Sequence, residues 1–419
     1  MLIRTALSVC AVTTLAHAQT FTGLGTLPAS VGATEAWGIS GDGTTIVGEA
    51  NNGTLAFRWT AATGMESLGL LANGGTNAIA YDASFDGSVI VGTGSTSAGN
   101  RAFRWTDATG MQDLGTAPGG NWTRGRAVTA DGSTIFGWGP TSGLSSQKLI
   151  GWTDAGATVG VKSDALSPGP GACSADGTIV GGRGNTAAQA ATLWIDGQGL
   201  RLVPDPSGAT FLDGAVQGVS ADARWAVGWQ ESGGGVSGFV HKIDAGTIHT
   251  GDLPGSNEEC VLRDVSANGA VAVGYGTDAD GDEAVIWIRG AGLRPLAEYL
   301  ETESALDLDP WNLLDATGIS DDGSVICGTA FNTTTFRTEA FRVEIPVIND
   351  SLCLADFEGD YDVDLGDFGI FGSAFGTVVG DPAYNPGADL DFDGDIDLGD
   401  FGIFGAEFGK TAIDCQPSP

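Results

Sequence analysis

The sequence has few basic residues and few histidines. Lysine and arginine number 18 against 52 aspartates and glutamates, which gives a formal net charge of −34. A chain this acidic repels nucleic acid and anionic lipid, so we exclude both as partners, whereas hard cations are attracted. Only His241 and His249 lie beyond the N-terminal segment. A nucleophile–histidine arrangement is therefore poorly supported.

Long hydrophobic runs are also missing after the N-terminal segment, so we expect no membrane insertion. That segment reads MLIRTALSVCAVTTLAHAQT, with Arg4, an apolar run over 6–15 and small residues around 16–18. This pattern is typical of a secretory signal over residues 1–18, with cleavage before Gln19. We therefore expect a secreted protein that is extracellular or associated with the cell surface.

Cysteine is scarce. Five cysteines remain beyond the signal, namely Cys173, Cys260, Cys327, Cys353 and Cys415. Disulfides are permitted in a secreted protein, and an odd count leaves at least one thiol unpaired within the chain. Cys327 lies in an apolar strand pattern, which predicts a buried thiol.

Glycine is abundant, with 68 residues, and it favours turns and short strands over helices. One glycine-rich phrase recurs seven times at a spacing of roughly 45 residues. The copies are GISGDGTTIVG (38–48), ASFDGSVIVG (83–92), VTADGSTIFG (128–137), CSADGTIVGG (173–182), GVSADARWAVG (218–228), DVSANGAVAVG (264–274) and GISDDGSVICG (318–328). Each copy predicts a strand, a tight turn and a second strand, and Asp-Gly or Asn-Gly, present in every copy but the fifth, suits a two-residue hairpin turn.

Two further short strands follow each hairpin, such as LAFRWT (55–60) and GMESLGLL (64–71). Four strands per unit describe one blade of a β-propeller, so the sequence predicts a mainly β fold with seven blades over 19–346. The seventh unit lacks its fourth strand, and FTGLGTLP (21–28) is expected to supply it and close the ring. The tryptophans that recur at one position of the unit are interpreted as core between blades, and the repeated Ser and Asp as turn chemistry. These tryptophans are Trp59, Trp105, Trp152, Trp194 and Trp287.

In its AFRWT run, S-x-D-G-x-x-x-V-G hairpin and GM-x-x-L-G strand, the region 21–346 resembles the bacterial extracellular HAF repeat family. The resemblance implies an exported, propeller-like repeat and little about chemistry. We place a ligand where the fourth strand of one blade crosses to the first strand of the next, because variable loops on a rigid frame tend to carry function. The candidate ligand-binding residues there are Trp37, Tyr81, Trp122, Arg124, Arg126 and Trp311. The aromatic side chains would stack on sugar rings, and the arginines would add polar contacts.

From about Cys353 the composition becomes densely acidic. Two twelve-residue segments, DFEGDYDVDLGD (356–367) and DLDFDGDIDLGD (389–400), place acidic residues at positions 1, 3, 5, 9 and 12. Alternating oxygens of this kind wrap Ca²⁺, and position 7 contributes a backbone carbonyl. Each loop is followed by phenylalanines at i, i+3 and i+7, which predicts one helix with an aromatic face. Gly394 suits the sharp turn at position 6, whereas the first loop has Tyr361 there.

A duplicated loop followed by one helix, without a preceding amphipathic helix, resembles the dockerin type I module over about 353–415, after a linker at 347–352. The family binds cohesin modules on scaffold proteins, usually of polysaccharide-degrading systems, which implies a cohesin-like partner. Carried over by position, the first Ca²⁺ site has the residues Asp356, Glu358, Asp360, Asp364 and Asp367 with the carbonyl of Asp362. The second has Asp389, Asp391, Asp393, Asp397 and Asp400 with the carbonyl of Asp395. Cys353 and Cys415 bracket the module, and a disulfide between them would staple its ends.

No catalytic set is visible in the sequence. We therefore expect a secreted, non-catalytic binding or structural protein whose propeller recognises a glycan or surface ligand and whose tail docks to a cohesin-like partner through Ca²⁺. The alternative is a tethered polysaccharide-degrading enzyme, a glycoside hydrolase or lyase, with the propeller as catalytic domain. The enzyme would need two or three carboxylates converging at the channel mouth, whereas a binding protein would need only aromatic platforms.

Overall fold

The structure is a computed structural model. It describes residues 20–28, 30, 32–141, 147–153, 158–163, 166–184, 189–206, 213–232, 235–253, 259–278, 281–347, 355, 357, 363–378, 381, 383–385, 387–391 and 394–411. The signal segment, most of the first acidic loop including Tyr361, and both Cys353 and Cys415 lie outside the described residues.

The fold is mainly β, as the repeats predict. Strand β1 (Phe21–Gly23) precedes two four-stranded antiparallel sheets. The first sheet has strands β2 (Thr34–Ile39), β3 (Thr45–Ala50), β4 (Leu55–Thr60) and β5 (Gly64–Ser67), and the second has β6 (Ala78–Ala83), β7 (Ile90–Thr96), β8 (Gly99–Thr106) and β9 (Gly110–Asp113).

Two more four-stranded sheets follow in the same order. The third has strands β10 (Arg124–Val128), β11 (Thr134–Pro140), β12 (Gln147–Thr153) and β13 (Thr158–Ser163), and the fourth has β14 (Leu166–Cys173), β15 (Ile179–Gly184), β16 (Ala191–Ile195) and β17 (Gly199–Leu202). In each of these four sheets the strands pair in sequence order, as in a meander.

The next eight strands form a single sheet, because a parallel bridge between Val236 and Glu259 joins two meanders. Its strands are β18 (Gly214–Val219), β19 (Trp225–Ser232), β20 (Gly235–Lys242), β21 (Thr247–His249), β22 (Glu259–Val265), β23 (Val271–Thr277), β24 (Asp282–Ile288) and β25 (Gly292–Pro295). Helix α1 (Leu296–Glu303) leads to β26 (Trp311–Ile319), β27 (Val325–Asn332) and β28 (Arg337–Glu344).

Strand β1 pairs with β28, so the N-terminal segment supplies the fourth strand of the last sheet, as FTGLGTLP predicts. Phe21 stacks on Phe341 with ring centroids 5.5 Å apart, and Trp311 packs on Phe21 at the same distance. The pairing covers the open edge of β28.

Backbone hydrogen bonds link the turns of most successive repeats and join the last repeat to the first, while the bridge between Val236 and Glu259 links the fifth repeat to the sixth. In most of these bonds, the amide of the residue after the repeated Ser or Thr donates to the equivalent carbonyl of the next repeat. The bonds run from Phe85 to Ala130, Ala130 to Ala175, Ala175 to Ala221, Ala267 to Asp321, Asp321 to Gly41, and Asp42 to Phe85, at 2.8–3.2 Å. The repeats therefore close into a ring.

The hairpin between the first two strands of a repeat is longer than the two-residue turn that the sequence predicts. In the first repeat residues 40–44 separate β2 from β3, and only Gly43 has a positive φ, at 70°. Ser40 Oγ donates to Asp42 Oδ1 at 2.6 Å and accepts from the Thr45 amide at 2.9 Å. The two side chains hold the wider loop, so the repeated Ser and Asp are turn chemistry, as expected.

The core lies between sheets, where each strand buries one face against the next repeat. The recurring tryptophans belong to it: Trp152 and Trp287 are at most 1% exposed, and Trp59 is partly buried. Cys327 is a buried thiol, as predicted, and it is free, as are Cys173 and Cys260. No helix in the described part of the chain is long and apolar enough to cross a membrane.

The tail has two short helices, α2 (Leu365–Ala374) and α3 (Leu398–Glu407), each directly after an acidic loop. They pack on one another through Phe371 and Phe404, whose ring centroids are 5.2 Å apart. Val363 and Ile396, at position 8 of the two loops, are fully buried. Val363 exchanges backbone hydrogen bonds with the residues after α3, and Ile396 does the same with those after α2. The two copies are therefore related by an approximate twofold arrangement.

Candidate functional site

The first strand of nearly every repeat carries a β-bulge at one position, three residues before the repeated Ser or Thr. At that position one residue of the strand has no partner on the neighbouring strand. A bulge of this kind changes the direction in which the side chain of the unpaired residue points. The skipped residues are Trp37, Tyr81, Arg126, Gln217, Arg263 and Thr317. All six line one cavity of about 180 Å³, together with Gly171 of the remaining repeat.

Three of these residues form a continuous arc. The rings of Trp37 and Tyr81 meet edge to face with centroids 6.1 Å apart. The Arg126 guanidinium lies over the Tyr81 ring at 3.7 Å from its centroid, a close cation–π contact. Trp138 lies within 5.5–5.7 Å of both Arg126 and Arg124. Aromatic faces beside a cation are the arrangement that binds sugar rings with charged substituents.

Carboxylates lie close together next to this arc, where the sixth, seventh and first repeats meet. Arg263 donates to Asp315 Oδ2 from Nη2 at 3.0 Å and from Nε at 3.2 Å, and Asp315 Oδ1 is buried without a hydrogen-bond partner. Glu35 lies in β2, two residues before Trp37, and Asp315 lies two residues before Thr317 in β26. The cross-strand partner of Glu35 is Glu49.

Burial and mutual repulsion raise the pKa values of these three carboxyl groups. Burial raises the pKa of Glu35, and the charge of Asp315 raises it further. Burial likewise raises the pKa of Glu49, with Glu35 adding to the effect. The pKa of Asp315 is also raised by burial, although Arg263 opposes the shift. Neighbouring carboxyl groups with raised pKa values are suited to general acid–base chemistry.

Two partly buried aspartates that line the cavity act as structural links between repeats. Asp82 accepts from the amides of Ala83 and Val128, each at 2.8 Å, and Asp264 accepts from those of Val265 and Ile319 at 2.9 and 3.0 Å. Burial raises the pKa of Asp82 to about 8 and that of Asp264 to about 7. Because both oxygens of each carboxyl are occupied by backbone amides, we do not place these residues in the chemistry.

Of the six ligand-binding residues expected from sequence, the structure brings Trp37, Tyr81 and Arg126 together in the channel. Trp122 and Arg124 lie beside them, with the Arg124 guanidinium 5.8 Å from the Trp122 ring centroid. Trp311 is not part of this group, because it packs on Phe21 in the last sheet. The three channel residues sit on strands β2, β6 and β10 rather than in the crossing loops, because the bulge turns strand residues toward the cavity.

The carboxylates of this site were missed in the sequence. Glu35, Glu49 and Asp315 are not among the candidate residues that the sequence analysis gives. A signal was present, since Glu35 and Asp315 both lie five residues before the repeated Ser, where the second and third repeats have Ile79 and Arg124. Aligning the repeats by that serine would have placed both acids at neighbouring points of the ring.

The histidines lie elsewhere. His241 is buried, with Nδ1 at 2.9 Å from Thr247 Oγ1, and burial lowers its pKa to about 4. His249 Nε2 is 3.3 Å from Asp205 Oδ2. His241 is on β20 and His249 is on β21, and neither lines the channel cavity. They take no part in the candidate site.

A second candidate site is the acidic loop before α3. Carboxylate oxygens of Asp389, Asp391 and Asp400 lie within 4.8 Å of one another, and so do those of Asp395, Asp397 and Asp400. These acidic groups can hold a metal ion. Asp400 also accepts backbone hydrogen bonds from Leu390 at 2.6 Å, from Asp391 at 3.1 Å and from Asp397 at 2.9 Å.

The first loop is described only at its end. Asp364 caps α2 by accepting from the Gly366 amide at 2.6 Å, and Asp367 accepts from the amides of Phe357 and Asp364. These contacts repeat those of Asp397 and Asp400 in the second loop. Five predicted ligands lie outside the described residues, namely Asp356, Glu358, Asp360, Asp362 and Asp393.

Known structures with a similar fold include enzymes. Oligogalacturonate lyase from Vibrio parahaemolyticus superposes with a TM-score of 0.52 at 12% identity, covering 78% of this chain and 93% of that one. An oligogalacturonate lyase in complex with manganese gives 0.48 at 12% identity, covering 78% and 96%. TolB from Acinetobacter baumannii gives 0.40 at 9% identity, covering 75% and 64%. No protein-family model and no curated protein matches the sequence.

The first of these similarities establishes the fold, which is β-propeller-like; the other two score below 0.5 and add no argument. The expectation of a non-catalytic binding or structural protein is wrong. That expectation was based on the lack of a recognisable catalytic set in the sequence. The oligogalacturonate lyase, which has a similar fold, is an enzyme. The finding favours the alternative, in which the propeller-like part is catalytic, over the non-catalytic one.

Proposed function

We propose that the chain is a polysaccharide-degrading enzyme, a lyase or glycoside hydrolase, with the propeller-like region as its catalytic domain. The observation that carries this proposal is the convergence of Glu35, Glu49 and Asp315 beside a cavity with aromatic walls. Two or three carboxylates at the channel mouth are what an enzyme of this class needs and a binding protein does not.

Each residue has a role that follows from its contacts. Glu35 serves as the general acid or base, because burial and the charge of Asp315 raise its pKa toward neutrality. Asp315 is held by Arg263 and sets the electrostatic environment of Glu35. Trp37 and Tyr81 provide the faces against which sugar rings stack.

The test is to incubate the secreted chain with a panel of acidic and neutral polysaccharides and to measure new reducing ends. Both reaction classes produce them, but only a lyase also produces an unsaturated sugar that absorbs ultraviolet light. We expect new reducing ends with at least one polysaccharide, and their loss in Glu35→Gln. An absence of new reducing ends with every polysaccharide would overturn the proposal.

We further propose that the propeller has seven blades and occupies residues 19–346. Five four-stranded sheets account for five blades, and the eight-stranded sheet accounts for two, since a single parallel bridge joins its halves. The hydrogen bonds that join the turn of the last repeat to that of the first support closure. Proteolysis within the 347–352 linker is expected to release a folded propeller.

The C-terminal region, residues 353–415, is proposed to be a dockerin-like module that binds two Ca²⁺ ions and docks to a cohesin-like partner. The acidic clusters around Asp400 and the approximate twofold packing support it. Exposed hydrophobic side chains lie at equivalent points of the two copies. These are Leu365, Phe368 and Phe375 in the first and Leu398, Phe401 and Phe408 in the second. Such residues are available for a partner.

A pull-down with the full chain tests this module, with Ca²⁺ and with a chelator. We expect a cohesin module to be captured only with Ca²⁺, and the helical signal of the tail to fall when the ion is removed. Capture that is insensitive to the chelator would contradict the proposal. Secretion, signal cleavage before Gln19 and a Cys353–Cys415 disulfide belong to the same proposal and are checked by mass analysis of the exported protein without reduction.

A further inference from the structure

Arg126 is a partly buried cation that lines the cavity. Burial lowers the pKa of its guanidinium, and the charges of Arg124 and Arg263 lower it further. Among the described residues it forms no ion pair and no side-chain hydrogen bond, and its contacts are the rings of Tyr81 and Trp138. Placing a charge in such a position is costly unless an anion completes it.

Several other partly buried arginines of the ring are paired, whereas Arg104, which does not line the cavity, forms no ion pair among the described residues. Arg58 lies 3.1 Å from Glu66 and 2.8 Å from Asp107, Arg183 pairs with Asp213, and Arg263 lies 3.0 Å from Asp315. The chain carries 52 acidic residues, so partners for a cation are plentiful. An unpaired guanidinium in the channel of so acidic a protein therefore indicates an anionic ligand that comes from outside.

The surroundings specify more than charge. Tyr81 stacks on Arg126, and Trp37 lies against Tyr81 at the entrance to the same cavity. The indole N–H of Trp37 is buried and has no hydrogen-bond partner among the described residues. The site thus combines aromatic faces, one free donor and one free cation, which match the ring, hydroxyl groups and carboxylate of an acidic sugar.

We propose that this arc is a binding subsite for a uronic acid residue, whose carboxylate pairs with Arg126. The two donor groups of a guanidinium match a carboxylate in a two-pronged contact. The sugar ring then lies against Tyr81 and Trp37, and the Trp37 indole donates to a hydroxyl group. This inference deepens the proposed function, because it names acidic glycans as the substrate class, but its test does not need turnover.

The experiment measures binding by calorimetry in the Glu35→Gln background, which keeps the glycan intact. The probes are an oligogalacturonate and the same oligosaccharide with its carboxyl groups reduced to alcohols. We expect the acidic probe to bind at least about tenfold more tightly than the reduced one, as a charge-assisted contact implies. Arg126→Gln should remove this preference while leaving the affinity for the reduced probe nearly unchanged.

Arg224→Gln is the matched control, because the Arg224 side chain is exposed and does not line the cavity, so the change should alter neither affinity. Removing an unpaired, partly buried charge should also raise the melting temperature of Arg126→Gln, so loss of binding will not reflect unfolding. If that variant fails to fold, Arg126→Lys is measured instead. It should bind the acidic probe more weakly, because lysine cannot form the two-pronged contact with a carboxylate.

An unchanged preference in Arg126→Gln, or equal binding of both probes by the parent protein, would overturn the proposal. So would competition by acetate at the concentration of the oligosaccharide, which would reduce the site to a simple anion site. Turnover on neutral glycans alone, together with these results, would leave the enzyme proposal standing and the acidic substrate class refuted.

Discussion

The second acidic loop of the tail and the channel of the ring assemble their polar side chains in opposite ways. The loop takes its carboxylates from one stretch of twelve residues, and Asp389, Asp391 and Asp400 converge because the chain wraps around them. The channel takes one residue from each repeat, so Trp37, Tyr81 and Arg126 are each separated by roughly 45 residues.

This difference explains why the acidic loop can be predicted from the sequence and the channel site cannot. A local site repeats its residue types, and the segment DLGDFGIFG, which occurs at 364–372 and 397–405, places aspartates at the same positions of both loops. In a site built from several repeats, the residues shared by the repeats form the β-sheet framework. The functional residues lie at a position where the repeats differ from one another. The predictions below test this contrast, from the largest expected effect to the smallest.

Replacing Glu35 by Gln should lower the rate of glycan cleavage by about 10²–10⁴-fold, because a general acid or base contributes that much. Glu66→Gln, an exposed residue on β5 away from the cavity, is the control. The measurement is kcat on the polysaccharide that the panel identifies, with binding followed separately. A variant with full kcat would show that the channel carboxylates do not act in catalysis.

Replacing Asp400 by Ala should destabilise the tail by about 3 kcal/mol, because three backbone amides lose their acceptor and both acidic clusters lose a shared group. Hydrogen exchange in α3 reports the change. Asp381→Ala, in which the Val378 amide loses an acceptor at 3.2 Å, should have a small effect. Equal protection of α3 in both variants would argue against a central role for Asp400.

The stability of the ring should fall as the pH rises from about 4 to about 8. Burial raises the pKa of Asp82 from 3.8 to about 8, so in this window the folded protein holds a proton that the unfolded chain has lost. The stabilisation is complete below pH 4 and disappears as the pH approaches 8. Asp82→Asn should flatten the curve, by at most about 1.4 kcal/mol per pH unit.

Denaturant melts across that pH range measure the effect of Asp82. Asp86→Asn is the control of opposite sign, because hydrogen bonds from Ser88 lower the pKa of Asp86 and its contribution disappears as the pH falls. Parallel curves for the parent protein and Asp82→Asn would refute the assignment.

The smallest effect concerns the turn of the fifth repeat. Ala223 occupies the position where the other repeats have glycine, and its φ is 61°. Ala223→Gly should raise the free energy of unfolding by about 1 kcal/mol, because a residue with a Cβ is strained there. Gly323→Ala, at the equivalent turn with φ at 75° and room for a Cβ, should lower it by a similar amount. A melting temperature that does not rise in Ala223→Gly, or does not fall in Gly323→Ala, would contradict this account.

Much of the fold could be predicted from the sequence. The repeated hairpin, the recurring tryptophans and the orphan N-terminal strand predicted a mainly β ring closed by β1, and hydrophobic alternation with turn residues is enough for that. The turn length was wrong, because the Ser40 and Asp42 side chains stabilise a wider loop than Asp-Gly alone indicates. Trp311 was misplaced for a similar reason, since only the pairing of β1 shows that Phe21 covers it.

The sequence by itself determined the repeat, its turns, the acidic loops and the phenylalanines of α2 and α3, because each depends on contacts within a few residues of the chain. Only the tertiary structure decided which side chains meet in the channel. The bulges that turn Trp37, Tyr81 and Arg126 inward arise from strand pairing, and the pairing of Arg263 with Asp315 requires neighbouring repeats to pack. A charge left unpaired, as at Arg126, becomes visible only when every neighbour is in place.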